Sequence, residues 1–157
     1  MKAQPLLLAI KPNFADLILA GEKTYEYRKT VRRVKPGAII VLYATSPHKA
    51  IVGHFTAGQV LVGSPHYLWG MTAHGGGIAK EDFDEYFCGA ERGCAVEVKA
   101  PVRWCSSRSL SELRRMLPGF APPRCVVSLG SSSPLVLQAV VETKNGHGSR
   151  QKRGIGA

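Results

Sequence analysis

Six short segments of strand character, separated by short helices in no regular strand–helix–strand order, set the strongest limit on how this chain can fold. They are Leu6–Ile10, Thr24–Arg28, Ala38–Ala44, Ala50–Val62, Gly93–Trp104 and Arg124–Leu129. Period-2 alternation is clear at Thr24–Arg28, where Tyr25 and Tyr27 face one way and Thr24, Glu26 and Arg28 the other. Between the strands the sequence predicts a helix over Asn13–Ala20, with Asn13 as its cap and Gly21 just past its end. Further helices are expected over His66–Thr72 behind Ser64-Pro65, over Lys80–Cys88, and over Ser109–Leu117, where Ser109 and Glu112 form a capping box. A last apolar helix is expected from Ser133-Pro134 to Glu142. A doubly wound parallel sheet needs strands and helices to alternate, which these do not. The expected class is therefore α+β: a small mixed β-barrel of about six strands with short peripheral helices.

The chain has 157 residues, 45% hydrophobic and 20% charged, which suits one soluble globular core and excludes a disordered polymer, a collagen-like fibre and a coiled coil. Its expected organisation is a domain over 1–130, an apolar helix over 131–143, and a basic, Gly-rich tail over 144–157 without regular structure. The apolar run Leu6–Ile10 is far short of the roughly 20 residues that span a bilayer, and too short for a secretory signal. No membrane association and a cytoplasmic address are expected. Cys88, Cys94, Cys105 and Cys125 contain no CxxC pair, so reduced thiols are expected rather than a zinc site, and no metal or cofactor.

The net charge of +10 is clustered. Residues 1–60 carry nine basic and three acidic groups, residues 61–120 seven of each, and residues 121–157 five basic and one acidic. Two basic segments around a neutral middle suit a polyanion partner, because Lys and Arg neutralise phosphates and release condensed counterions. The basic loop 29–37 supplies Lys29, Arg32 and Arg33 as candidate phosphate contacts.

The segment Gly21-Glu22-Lys23-Thr24-Tyr25-Glu26-Tyr27-Arg28 carries the strongest chemical signal. A helix ends at a glycine, a lysine follows, and a strand sets Glu26 and Arg28 on one face. Glu26 can accept from a base amine or hold Arg28 toward a phosphate, with Lys23 adding a point charge. An exposed, salt-bridged edge strand accounts for the same spacing. A second cluster, Tyr43, Ser46 and Lys49, lies around a strand end and its loop, with Tyr43 suited to stacking or proton transfer and Lys49 to charge stabilisation. A wall residue and a solvated loop charge are the structural alternatives. Lys80–Glu85 reads as a solvated helical face, and Gly75-Gly76-Gly77 as a loop without the Gly-Lys-Ser/Thr of a phosphate cradle.

The pattern Gly21-x-Lys23-x-x-Glu26-x-Arg28 resembles the GxKxxExR signature of ASCH domains, of the PUA-like superfamily. Ala9-Ile10-Lys11-Pro12 with Phe14-Ala15 and Ile18-Leu19-Ala20-Gly21 resembles the family's opening, and Leu42–Gly53 its second block. The likeness runs from about residue 5 to 126. It implies a PUA-like barrel with a cleft lined by the signature residues, and RNA as partner. RNA binding, in RNA processing or transcription-associated regulation, is the leading expectation, through Lys11, Lys23, Glu26, Arg28, Lys29, Arg32, Arg33, Tyr43, Ser46 and Lys49. The alternatives are a hydrolase of RNA or of a modified nucleoside, with Lys23, Tyr43 and Lys49 as catalytic candidates, and a protein-interaction domain. Superfamily members that hydrolyse acetylated nucleosides carry a threonine where this chain has Glu26.

Overall fold

The computed structural model describes residues 2–30 and 34–152, with side chains through Gly146. Its element order is β1 (Leu6–Ile10), α1 (Pro12–Leu19), β2 (Tyr25–Arg28), β3 (Ile39–Ala44), β4 (Ala50–Gly63), α2 (Pro65–Thr72), α3 (Lys80–Phe87), β5 (Gly93–Ser109), α4 (Leu110–Met116), β6 (Val126–Ser128) and α5 (Pro134–Lys152). The strands form one six-stranded sheet, β2-β5-β4-β3-β1-β6, in which only the β1–β3 pairing is parallel. The sheet is a curled half-barrel with helices around it, so the expected α+β class and the barrel-like form both hold.

Most elements begin and end where their local chemistry dictates. Ser64 and Ser109 cap α2 and α4 by accepting from the amides of Tyr67 and Glu112. The first helix differs from expectation: it starts at Pro12, with Lys11 at the cap position, and Asn13 falls inside its first turn. Proline presets the helical φ and has no amide to leave unpaired, so it takes the first position ahead of an asparagine cap. Gly21 adopts φ +81° and turns the chain out of α1, while the Lys23 amide still bonds to the carbonyl of Leu17. The final helix continues through Lys152, into the segment expected to lack regular structure.

Strand alternation divides the interior into two layers. Leu6, Leu8, Ile10, Ile40, Leu42, Phe55 and Val96 pack on one face, against Ala15 and Ile18 of α1. Leu7, Val41, Tyr43, Ile51 and Trp104 pack on the other, under Leu113 of α4 and Leu135 and Ala139 of α5. A smaller cluster joins Tyr27 and Ala95 to Leu68 of α2 and to Phe83 and Phe87 of α3. Strand β2 is an edge strand that pairs only with β5. Its far side is bridged to β1 by a side chain, since Arg28 Nη2 donates to the carbonyl of Ala9 at 2.7 Å.

Candidate functional site

The hollow between α1, β2 and α3 is a cavity of about 550 Å³, a size typical of small-molecule sites. Lys23, Glu26 and Arg28 line it, with Ile10 and Lys11 from the end of β1, Phe14 from α1, and Asp82, Glu85 and Tyr86 from α3. The two side chains set on one strand face therefore share one wall. Arg28 Nη2 lies 3.3 Å from Glu26 Oε1, and Lys23 Nζ lies 3.9 Å from Glu26 Oε2.

Burial makes this cluster unusual for three ionised groups. Lys23 is 2% exposed and Glu26 7%. Burial lowers the Lys23 pKa, the nearby Glu26 carboxylate raises it, and the Arg28 guanidinium lowers it again. Lys23 Nζ donates to the carbonyl of Gly76 and sits 5.1 Å and 4.9 Å from the ring centres of Phe14 and Tyr27. One accepting carbonyl, the carboxylate of Glu26 at ion-pair distance and two aromatic faces thus offset the desolvation of one ammonium. Arg28 extends a second nitrogen to Cys125 Sγ at 3.8 Å. Two polar atoms of the cluster have no hydrogen bond: Glu26 Oε2 and Arg28 Nε. The wall therefore holds an acceptor and a donor without hydrogen bonds side by side, both buried.

The glycine triplet holds this arrangement in place. The Thr24 amide donates to the carbonyl of Gly75 at 2.7 Å, and Gly76 receives Lys23. A side chain at Gly75 or Gly76 would overlap Thr24 Oγ1 or Tyr27 Oη, so the loop lies flat on the start of β2 only because these residues lack one. Tyr27 is fixed by Thr72 Oγ1 at 2.6 Å.

The remaining candidates lie elsewhere. Lys29 is exposed beside the cavity, with Nζ 5.1 Å from the ring centre of Tyr86. Arg32 and Arg33 lie outside the described residues. Tyr43, Ser46 and Lys49 do not line the cavity. Tyr43 is buried in the layer under α4 and α5, where burial pushes its phenol pKa up and Arg114 pulls it down. Ser46 and Lys49 are exposed on the β3–β4 loop, which touches the cavity-lining strand β1 through the bond from the Thr45 amide to the carbonyl of Ile10. The catalytic trio of Lys23, Tyr43 and Lys49 is thus not one constellation: the alternation that turns Leu42 to one face sends Tyr43 to the other. Sequence reasoning missed Asp82, Glu85 and Tyr86. Their 3- and 4-residue spacing put them on one helical face, but only the docking of α3 shows that this face looks into the hollow.

The ASCH domain family profile matches residues 8–89, more than half of the chain. The chain belongs to the ASCH domain family. Within that family, an "ASCH domain-containing ribonuclease" of Zymomonas mobilis is 27% identical over 125 residues, covering 78% of this chain and 82% of that protein. The crystal structure of ASCH from Zymomonas mobilis superposes with a TM-score of 0.78 at 23% identity, over 89% of this chain and 96% of the other. A more distant likeness, the N-terminal domain of Staphylothermus marinus McrB, has a TM-score of 0.56 at 14% identity, covering 90% of this chain and 94% of that one. A large ribosomal subunit protein uL22 of Ureaplasma parvum is 26% identical over 110 residues, covering 69% of this chain but 35% of that protein. No helix among the described residues is long and apolar enough to cross a membrane. All four cysteines are free thiols, with Cys94 buried and the others exposed.

Proposed function

We propose that this ASCH domain binds RNA and seats one nucleotide in the cavity between α1, β2 and α3. The observation that carries this reading is the concave wall on which Glu26 lies within ion-pair distance of both Lys23 and Arg28. A buried acceptor flanked by buried donors suits the mixed edge of a nucleobase, and the aromatic rings of Phe14 and Tyr86 in the same lining offer apolar contact to its face. Lys11 and Lys29, exposed at the rim, supply phosphate contacts, joined by Arg32 and Arg33. The ribonuclease name of the Zymomonas mobilis relative and the net charge of +10 support RNA as the partner.

The test is fluorescence anisotropy with a labelled single-stranded RNA at several salt concentrations. Replacing Glu26 by Gln should weaken binding at every salt concentration. Replacing Lys11 and Lys29, or Arg32 and Arg33, by Ala should weaken all sequences alike and flatten the salt dependence by about one charge per residue. Absence of RNA retention at physiological salt would leave a protein-interaction domain as the better reading.

The name of the relative also favours a second reading, hydrolysis of RNA. In that case Lys23, an amine with a lowered pKa inside the cavity, is one candidate for charge stabilisation. Tyr43, in the layer on the other face of the sheet, and Lys49, on the exposed β3–β4 loop, mark a separate candidate region. Incubation with end-labelled RNA separates the readings: turnover lost in Lys23→Ala favours the cavity, turnover lost in Lys49→Ala favours the loop, and binding without turnover favours the module.

A further inference from the structure

We propose that the cavity selects a nucleobase carrying an exocyclic amine, adenine, cytosine or guanine, over uracil. This rests on the reading of the cavity as a nucleotide seat and concerns what that seat reads. Of the ionised groups in the lining, the buried cations Lys23 and Arg28 have most of their donors engaged, while Asp82 and Glu85 have no ion-pair partner among the described residues. Lys23 is spent on the Gly76 carbonyl and two aromatic faces, and Arg28 on the Ala9 carbonyl, on Glu26 and on Cys125.

The carboxylates keep acceptor capacity, although Glu26 is ion-paired with Lys23 and Arg28. Glu26 is 7% exposed and keeps one oxygen without a hydrogen bond. Asp82 and Glu85, exposed on α3, line the same cavity, and no described side chain forms an ion pair with either. Three carboxylates balance the three cations Lys11, Lys23 and Arg28 in the lining, so the cavity gives a phosphate no net attraction; the base enters and the phosphates stay at the rim near Lys11 and Lys29. A carboxylate only accepts hydrogen bonds. It therefore attracts the amino group of cytosine N4, adenine N6 or guanine N2, and is repelled by the carbonyl oxygen O4 that uracil presents at the position of the cytosine amine.

The experiment compares binding of the full chain to two labelled oligonucleotides of equal length, oligo(C) and oligo(U), at one salt concentration, with RNA integrity checked on a gel. The expected result is binding of oligo(C) about tenfold tighter than of oligo(U). In Glu26→Gln, whose amide also donates, the preference should fall to about threefold or less. The double variant Asp82→Asn, Glu85→Gln alters exposed positions only and should reduce the preference as well, which keeps the test available if Glu26→Gln does not fold. Equal affinity of the wild type for both oligonucleotides overturns this inference and leaves RNA binding standing. Binding of neither overturns RNA binding too. A preference unchanged in the folded variants removes the carboxylates from base selection.

Discussion

The indole Nε1 of Trp104 donates to Nδ1 of His54 at 2.8 Å, and that bond decides which imidazole nitrogen carries the proton. Nε2 then holds the hydrogen and donates it to Thr143 Oγ1 at 2.9 Å, while Thr143 donates to the carbonyl of Ala139 at 2.8 Å. A neutral, buried histidine thus links β4 and β5 to α5. Glu142 adds a second link by accepting from the Cys105 amide at 2.9 Å.

This linkage makes stability depend on acid. Burial lowers the His54 pKa from 6.5 to about 4, against a smaller upward pull from Glu142. The unfolded chain takes up this proton below pH 6.5 and the folded chain only near pH 4, so stability falls as pH drops through that window, by roughly 3 kcal/mol in all. Urea unfolding at pH 7 and pH 4.5 checks it. His54→Asn should be less stable than the wild type at pH 7, and the gap should narrow by about 2 kcal/mol at pH 4.5. A gap independent of pH would show that His54 does not titrate in this way.

The glycine loop should not tolerate side chains. Gly77 has φ +61°, and a Cβ there would lie 2.9 Å from Lys23 Cβ. Gly77→Ala should cost about 1–3 kcal/mol in thermal or urea unfolding, whereas Gly70→Ala, with open space around it, should be neutral or slightly stabilising. Equal effects at the two sites would contradict the docking of this loop on β2.

Removing two opposite charges from the buried cluster should cost less than the sum of removing each alone. Lys23→Met leaves the Gly76 carbonyl without its donor and Glu26 with Arg28 alone, a loss of about 3 kcal/mol. Combining it with Glu26→Gln should cost less than the two single losses together, measured as a double-mutant cycle. Strict additivity would mean that the two side chains do not interact.

The C-terminal helix should contribute to the core. Leu135 is fully buried with Leu7, Tyr43 and Trp104, so Leu135→Ala should cost about 2–5 kcal/mol, while the exposed Leu137→Ala should cost under 0.5 kcal/mol. Chemical denaturation of the two variants decides it.

Thiol labelling tests burial next to the cavity. Burial pushes the Cys94 thiol up to about 11 and leaves it inside the barrel, whereas Cys88, Cys105 and Cys125 are exposed. The native protein should react rapidly at Cys88 and Cys125, more slowly at Cys105, whose thiol Glu142 pushes up, and at Cys94 only after unfolding, as read by mass spectrometry.

Strands and their faces were legible because alternation is a local property: the pairing of Glu26 and Arg28 on one wall follows from their two-residue spacing. The family likeness added the cleft. Helix α3 was legible too, but not its place in the cavity lining, because whether Asp82 and Glu85 meet water or a ligand depends on where Phe83 and Phe87 dock, against Tyr27, and that contact is long-range. The grouping of Tyr43, Ser46 and Lys49 came from closeness in sequence, which does not tell that Tyr43 turns into the layer under α4 and α5 while Ser46 and Lys49 stay exposed on the loop. The extent of α5 was hidden for another reason: beyond Glu142 its sequence has no apolar period to mark a helix.

The open side of the sheet is stitched by the Arg28 guanidinium rather than by a backbone ladder, and the same side chain forms part of the wall offered to a guest. Drift at this position would loosen the clasp and alter the pocket in one stroke, so descendants that acquire a new preference must do so through its neighbours. Asp82, Glu85 and Tyr86, exposed on α3 while Phe83 and Phe87 hold the helix to the core, are where such divergence has room to occur.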